Sequence, residues 1–131
     1  MNEYTIKEIS QRYNLTASTL RYYEDIGLLE DVKHTSSNRR LYNDSHIARL
    51  EAIICFKNTG MSLSNIVKFF KYEKNIPKNI DSIINIVQIQ EKETMEKIKI
   101  FKKELAHIQR KVRYYTGIKE AIKNNKEWPE Y

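Results

Sequence analysis

The string Arg21-Tyr22-Tyr23 places one guanidinium and two phenols on consecutive residues of a segment typical of a helix. Arginine donates hydrogen bonds to phosphate and can read a guanine edge through two parallel bonds, and a phenol also donates to phosphate. Because an α-helix turns once every 3.6 residues, adjacent tyrosines cannot share one face. We therefore expect Tyr22 to point outward beside Arg21 and Tyr23 to point partly inward. The alternative is an ordinary exposed arginine and tyrosine without a function.

The other reactive side chains are too scattered to build a catalytic or metal site. Cys55 is the one cysteine in the sequence, so an internal disulfide is impossible. A single thiol with His34, His46 and His107 does not form the ligand set of zinc or copper, and we predict neither a metal nor a cofactor. We expect His46 and His107 to be plain surface residues. The sequence has no nucleophile–base pair, phosphate-binding glycine loop or suitably spaced carboxylate pair, which predicts that the protein is not an enzyme.

The charge balance favours an anionic partner without locating it. The net charge is +6 and the isoelectric point is about 9.3, which suits nucleic acid or a membrane surface. Residues 1–75 carry a net charge of +2 and residues 76–131 a net charge of +4, so the excess is not concentrated in one half. No signal peptide or long apolar run is visible, and we expect a cytoplasmic protein.

Two short helices must position the Arg-Tyr-Tyr string. Thr5 and Glu8 have the spacing of a capping box at the start of the first helix, and Asn14 can end it in a left-handed conformation. Thr16 can cap the second helix, which runs to Gly27. Two helices joined by a tight turn within so few residues are a helix-turn-helix candidate.

The second helix has two distinct faces. Its apolar positions are Ala17, Leu20 and Tyr23, and its opposite, polar positions are Ser18, Arg21, Tyr22 and Asp25.

The region after the second helix predicts a small hairpin followed by two further helices. Residues 29–42 lack helical periodicity, 35–38 are turn-like, and 39–42 can extend into a basic strand or wing. Asn43 or Asp44 then caps a third helix that ends at Gly60, and Ser62 caps a fourth that fades near residues 74–75. The main apolar stripe predicted for the third helix is Ile47, Leu50 and Ile54, and the small-residue stripe is Ala48, Ala52 and Cys55.

From residue 80 to residue 112, apolar residues recur in alternating steps of four and three. This is the heptad pattern of a coiled coil, and neither proline nor glycine interrupts it. Two polar residues, Glu91 and Thr94, occupy positions of the same seam, where they can set register or partner choice. The predicted dimerisation residues are Ile80, Ile84, Val87, Ile98, Phe101, Leu105, Ile108 and Val112.

The seam needs a partner because one small N-terminal domain cannot cover a helix of this length. We predict a coiled-coil homodimer, with a helix that folds back on its own chain as the alternative. We predict three domains: 1–75 for DNA binding, 80–113 for dimerisation, and 114–131 as a short terminal helix and tail after a break near Thr116 and Gly117. Trp128 and Tyr131 could fold back onto the body.

These motifs together resemble the MerR family of bacterial transcription regulators. The resemblance is carried by the string TASTLRYYEDIGLL at 16–29 and by NRRLY at 38–42, and it extends over nearly the whole chain. It implies a mainly α fold with a winged helix-turn-helix and an antiparallel coiled-coil dimer. It also implies that the dimer binds double-stranded promoter DNA and deforms the spacer between two promoter elements, so that RNA polymerase can engage both.

The resemblance also assigns site residues by position. Where the family often has Gly-Tyr-Arg in the wing, this chain has Asn38-Arg39-Arg40, which adds a positive charge and leaves the shape of the turn open. The residues predicted to contact DNA are Thr16, Ser18, Arg21, Tyr22, Tyr23, Arg39, Arg40, Tyr42 and Lys57.

Two interpretations of Cys55 remain open. Its position resembles that of the cysteine in the thiol-based, aldehyde- and electrophile-responsive branch of the family, which makes it an effector or redox candidate. Free cysteine is, however, usually a small buried hydrophobic residue, and a helix C-terminus disfavours a thiolate. The alternative function for the whole chain is an architectural DNA-binding protein that bends DNA without sensing an effector.

Overall fold

The computed structural model describes residues 2–131, and this part of the chain is mainly helical. Two compact units can be distinguished, the first ending at Gln90 and the second beginning at Glu91, and the last helix contributes residues to both. The elements in chain order are β1 (Glu3–Thr5), α1 (Ile6–Tyr13), α2 (Ala17–Asp25), β2 (Lys33–His34), β3 (Arg40–Asn43), α3 (Asp44–Asn58), α4 (Leu63–Glu73) and α5 (Ile76–Lys123).

The predicted helix-turn-helix is confirmed by its caps. The Thr5 hydroxyl accepts a hydrogen bond from the Glu8 amide at 3.2 Å, and Thr16 accepts one from the Thr19 amide at 3.1 Å. These bonds satisfy amides that the first turn of a helix leaves without an intrahelical partner. Asn14 ends α1 with a φ of 53°, the left-handed conformation that asparagine tolerates.

The predicted wing is confirmed, and a third strand joins it. Strands β2 and β3 form the antiparallel hairpin, and β1 pairs with the other edge of β3. Between β2 and β3, the Asn38 amide donates to the Thr35 carbonyl at 2.9 Å, and Asn38 has a φ of 62°. Asparagine therefore supplies the left-handed turn residue. The analysis of the sequence missed β1 because three residues are too short to show an alternating pattern.

Helix α3 departs from the prediction at two positions. The prediction that His46 is a surface residue is wrong, since His46 is 4% exposed. Its Nδ1 accepts a hydrogen bond from the Asn43 amide at 2.9 Å, and its Nε2 lies 2.6 Å from the Glu30 carbonyl oxygen. The core-facing isoleucine is Ile53, which is fully buried, whereas the predicted Ile54 is only half-buried.

His46 should be worth more to stability than its surface-like sequence context suggests. Replacing it with alanine removes half of a capping box and leaves the Glu30 carbonyl without that partner, so we expect a loss of about 2 kcal/mol in the free energy of unfolding. His107→Ala is the matched control because His107 is exposed on α5. Urea unfolding followed by circular dichroism measures both, and equal stabilities of the two variants would contradict the assignment.

One hydrophobic core holds the elements of the first unit together. Ile83 and Ile86, on the first turns of α5, pack against this core. They lie beside the predicted seam residues without belonging to the seam. The buried core residues are Ile9, Leu20, Tyr23, Leu28, Leu29, Tyr42, Ile47, Leu50, Ile53, Met61, Ile66, Phe69 and Phe70.

The predicted break near Thr116 and Gly117 is wrong, because α5 continues to Lys123. Glycine inside a helix normally costs about 1 kcal/mol relative to alanine. Here the space beside Gly117 is occupied, since a Cβ at this position would lie 3.0 Å from Cγ of Pro129. The terminal segment therefore folds back on α5, as predicted for Tyr131, whose ring packs edge-on to Tyr114 at 5.1 Å. Trp128 remains 61% exposed.

Candidate nucleic-acid interface

Helix α2 presents its polar edge to solvent, as its sequence predicts. Leu20 is fully buried and Tyr23 is 2% exposed, so these two residues anchor the helix to the core. Ser18 and Arg21 are exposed, and Tyr22 is 50% exposed. The guanidinium of Arg21 and the hydroxyl of Tyr22 are consequently available to an outside partner.

A groove of about 720 Å³ collects basic side chains from three elements. Arg21 comes from α2, Arg39 and Arg40 come from the end of the wing, and Lys7 comes from the first turn of α1. Lys7 was not predicted, since an isolated lysine in an amphipathic helix carries no signal of its own. The sheet and the helix-turn-helix bring these four cations together, and such a lining suits a phosphate backbone.

Arg40 is tied to the reading helix by an ion pair. Its Nε donates to the Glu24 carboxylate at 2.7 Å, and both side chains are largely covered. The hydrogen bond to Glu24 is the main cause that raises the pKa of Arg40. Because Glu24 belongs to α2 and Arg40 to β3, the pair fixes the wing against the reading helix. The sequence gave no sign of Glu24 in this role.

The predicted contact between Tyr42 and DNA is wrong for this conformation. Tyr42 is fully buried, and its hydroxyl has no hydrogen-bond partner among the residues that the structure describes. Its ring lies edge-on to the His46 imidazole, with the centroids 5.7 Å apart. The side chain faces the core because alternate residues of a strand point to opposite sides, and Tyr42 occupies an inward position of β3.

The Tyr42 hydroxyl predicts a specific dependence of stability on pH. Burial, followed by the negative charge of Glu24, raises the pKa of Tyr42 to about 12 from its usual value of 10.0. As the pH rises above 10 the unfolded chain loses this proton first, so the parent should lose stability between pH 10 and 12.

Tyr42→Phe should remove this component and leave stability near neutral pH equal or slightly higher, because an unpaired buried hydroxyl is lost. Tyr22→Phe, which removes an exposed hydroxyl, should retain the parent's behaviour. Guanidinium unfolding at pH 8 and at pH 11 measures the difference, and identical losses in the parent and in Tyr42→Phe would contradict it.

Lys57 and Tyr23 form a contact between α3 and α2. The Lys57 ammonium donates to the Tyr23 hydroxyl at 3.0 Å and lies 5.6 Å from the centre of the Tyr23 ring. Lys57 is exposed, whereas Tyr23 is nearly covered. This corrects the predicted role of Tyr23: it orients the ammonium of Lys57 and does not itself reach outward.

Cys55 is exposed on the last turns of α3. The interpretation of this thiol as a buried packing residue is therefore wrong for the isolated protomer. Among residues 2–131, no group of three or more histidine, cysteine, aspartate or glutamate side chains could hold a metal ion. Within the same residues, no helix is long and apolar enough to cross a membrane.

Comparison with known proteins places this geometry among DNA-binding regulators. Residues 4–73 match the family described as "MerR HTH family regulatory protein". The uncharacterized regulator YyaN of Bacillus subtilis is 31% identical, over 92% of this chain and 97% of its own length. The ZntR homolog of Haemophilus influenzae is 32% identical, over 95% of this chain and 87% of its own.

A solved structure is similar over almost the whole chain. It is HiNmlR, described as a MerR family regulator that lacks the sensor domain and is bound to promoter DNA. Its TM-score to this chain is 0.81, with 26% sequence identity, and the match covers 95% of this chain and 92% of HiNmlR.

Proposed function

The chain belongs to the MerR family of DNA-binding transcriptional regulators, and we propose that it acts as a homodimer that deforms the spacer of a promoter. This family is one of transcription regulators and not of enzymes. The proposal concerns the parts that family membership leaves open: the residues that hold DNA, the assembly, and the consequence of binding. It places the protein in the cytoplasm, where promoter DNA and RNA polymerase are found.

The observation that carries the proposal is the basic groove formed by Lys7, Arg21, Arg39 and Arg40 beside the exposed edge of α2. In the proposal Arg21 and Tyr22 contact DNA from α2, supported by Ser18 and by Thr16 at the start of the helix. Arg39 and Arg40 hold the backbone from the wing, and Lys57 contacts phosphate from the end of α3. Phosphate contacts position a protein on the duplex, and base contacts specify the sequence.

The exposed seam of α5 supports a homodimer. All eight predicted dimerisation residues are at least 36% exposed in the protomer, and Phe101 is 73% exposed. Large apolar side chains in a row at heptad spacing favour burial against a second helix. We propose that the second helix is α5 of another copy in antiparallel orientation, because a dimer presents two reading helices to a pseudo-palindromic site.

Deformation of DNA is the proposed route to regulation. Bending a site of 20–30 base pairs costs about 1–6 kcal/mol, which contacts from two wings and two reading helices can repay. In this proposal the bent and untwisted spacer lets RNA polymerase engage both promoter elements. The alternative, an architectural protein, would bend DNA at sites unrelated to a promoter spacer.

One experiment separates these outcomes. A duplex selected by the protein from a random pool, called here the selected duplex, identifies the site, and footprinting on genomic promoters shows where that site lies. Affinity should fall steeply with salt, with a logarithmic slope of about −0.9 for each phosphate contacted. A footprint centred outside promoter spacers would favour the architectural alternative, and a flat salt dependence would exclude the basic groove as the binding surface.

We further propose that Cys55 senses electrophiles, on the strength of its exposure on α3. An exposed thiol can be alkylated without unfolding the core, and an adduct could displace α3 against its neighbours. Cys55→Ala should bind the selected duplex like the parent but lose any change in transcription caused by a thiol-reactive aldehyde. A response that persists in a purified transcription assay with Cys55→Ala would exclude the thiol as the sensor.

A further inference from the structure

A buried glutamine ties α5 to the end of α3. Gln90 is 8% exposed, and its Nε2 donates to the Thr59 carbonyl oxygen at 2.9 Å and to the Thr59 hydroxyl oxygen at 2.8 Å. A side-chain amide nitrogen carries two hydrogens, so both can be directed at this single residue. Burying a polar side chain is unfavourable unless it is hydrogen-bonded, and these bonds therefore define the position of Thr59 relative to α5.

Thr59 in turn closes the last turn of α3. Its hydroxyl donates to the carbonyl of Cys55 at 2.9 Å and to that of Phe56 at 3.1 Å. The Gly60 amide donates to the Lys57 carbonyl at 3.0 Å, with Gly60 at a φ of 96°. This arrangement satisfies carbonyls that the end of a helix leaves without partners. The turn that Thr59 closes is the one that carries Lys57.

Lys57 completes a chain of contacts to the reading helix. Its ammonium is held by the hydroxyl of Tyr23, whose ring is fixed in the core. The path from α5 to α2 therefore runs through Gln90, Thr59, Lys57 and Tyr23. Every contact in this path lies within the first compact unit.

We propose that Gln90 is a positioning residue that sets how Lys57 grips DNA. The amide of Gln90 fixes Thr59, Thr59 fixes the last turn of α3, and that turn directs the Lys57 ammonium towards a phosphate. The placement of α5 against Thr59 thereby controls one backbone contact. This inference rests on the proposed binding of DNA through Lys57. It is separate from dimerisation, because Gln90 faces its own protomer and lies outside the predicted seam.

The test compares two glutamines on one helix. Gln90→Met removes the buried amide, and Gln88→Met makes the same change at an exposed position. We expect Gln90→Met in the full chain to bind the selected duplex about fivefold more weakly, the effect of losing one or two hydrogen bonds. Its logarithmic salt slope should be shallower by about 0.9, as for the loss of one phosphate contact. Gln88→Met should match the parent in both measurements.

Thr59 provides an independent pair of variants. Thr59→Val removes the hydroxyl and should weaken binding like Gln90→Met, whereas Thr59→Ser keeps the hydroxyl and should restore parental affinity. This pair decides the question if Gln90→Met fails to fold at the assay temperature. Parental affinity of Thr59→Val and of a folded Gln90→Met would overturn the proposal.

A double-mutant cycle with Lys57→Ala distinguishes positioning from general support of the fold. If Gln90 acts through Lys57, adding Gln90→Met to Lys57→Ala should cause no further loss of affinity. The same fivefold loss in both backgrounds would overturn the proposal. Failure of the parent to bind any duplex would instead remove the proposed function itself, so the two failures are distinguishable.

Discussion

Arg21→Ala should weaken binding to the selected duplex by about ten- to a hundredfold, because a guanidinium that contacts a base edge or phosphates contributes about 1–3 kcal/mol. The exposed position of Arg21 in the basic groove, next to the half-exposed Tyr22, is the structural basis for this expectation. The fold should be unaffected, since Leu20 and Tyr23 anchor the helix and both remain in place.

The size of the Arg21 effect must be separated from the simple loss of a positive charge. Arg113→Ala makes the same change in net charge at an exposed position of α5. Fluorescence anisotropy on the selected duplex and on an unrelated duplex of equal length then distinguishes two roles. A base contact predicts a loss mainly on the selected duplex, whereas a phosphate contact predicts similar losses on both. Parental affinity of Arg21→Ala for both duplexes would remove α2 from the proposed interface.

Leu105→Asp should convert the proposed dimer into monomers and abolish tight binding to the selected duplex. An aspartate at a seam position would have to be buried without a partner, which costs several kcal/mol in each protomer. A monomer contacts only one half-site, so both affinity and specificity should fall together. Sedimentation equilibrium measures the mass, and anisotropy measures the affinity of the same samples.

Ile100 provides the matched control for the seam. Its exposure, 58%, is close to the 51% of Leu105, but it falls outside the alternation of four and three. Ile100→Asp therefore makes a similar substitution on the same helix and should leave the dimer intact. Dissociation by both variants would indicate a general sensitivity of α5, and a stable dimer of Leu105→Asp would refute the coiled-coil assignment.

The helix-turn-helix could be predicted in detail because its determinants are local. Thr5 and Thr16 cap their own helices, and Asn14 reverses the chain between them. The faces of α2 follow from a period of 3.6 residues, which is why the exposure of Tyr22 and the burial of Tyr23 were both foreseeable. The wing was foreseeable for a similar reason, since Asn38 can adopt the turn conformation that it requires.

The predictions that proved wrong concern residues whose environment is built by distant parts of the chain. His46 is buried because the Glu30 carbonyl lies against it, and Gly117 is helical because Pro129 packs beside it. Tyr42 carries a polar group that suggests a surface role, yet its position in β3 directs it into the core. Nothing in the neighbouring sequence reports such contacts.

The sequence by itself determined the family, the order of the elements, the outward edge of α2 and the apolar seam of α5. Each depends on caps, turns or periodic patterns that neighbouring residues encode. Only the tertiary structure brought Lys7 beside the wing arginines, paired Glu24 with Arg40, and connected Gln90 through Thr59 to the turn that carries Lys57. These contacts join residues up to 33 positions apart, as between Lys7 and Arg40 in the basic groove. They form only when the packing of the core fixes the distance between elements, and a pattern along the chain does not contain that distance.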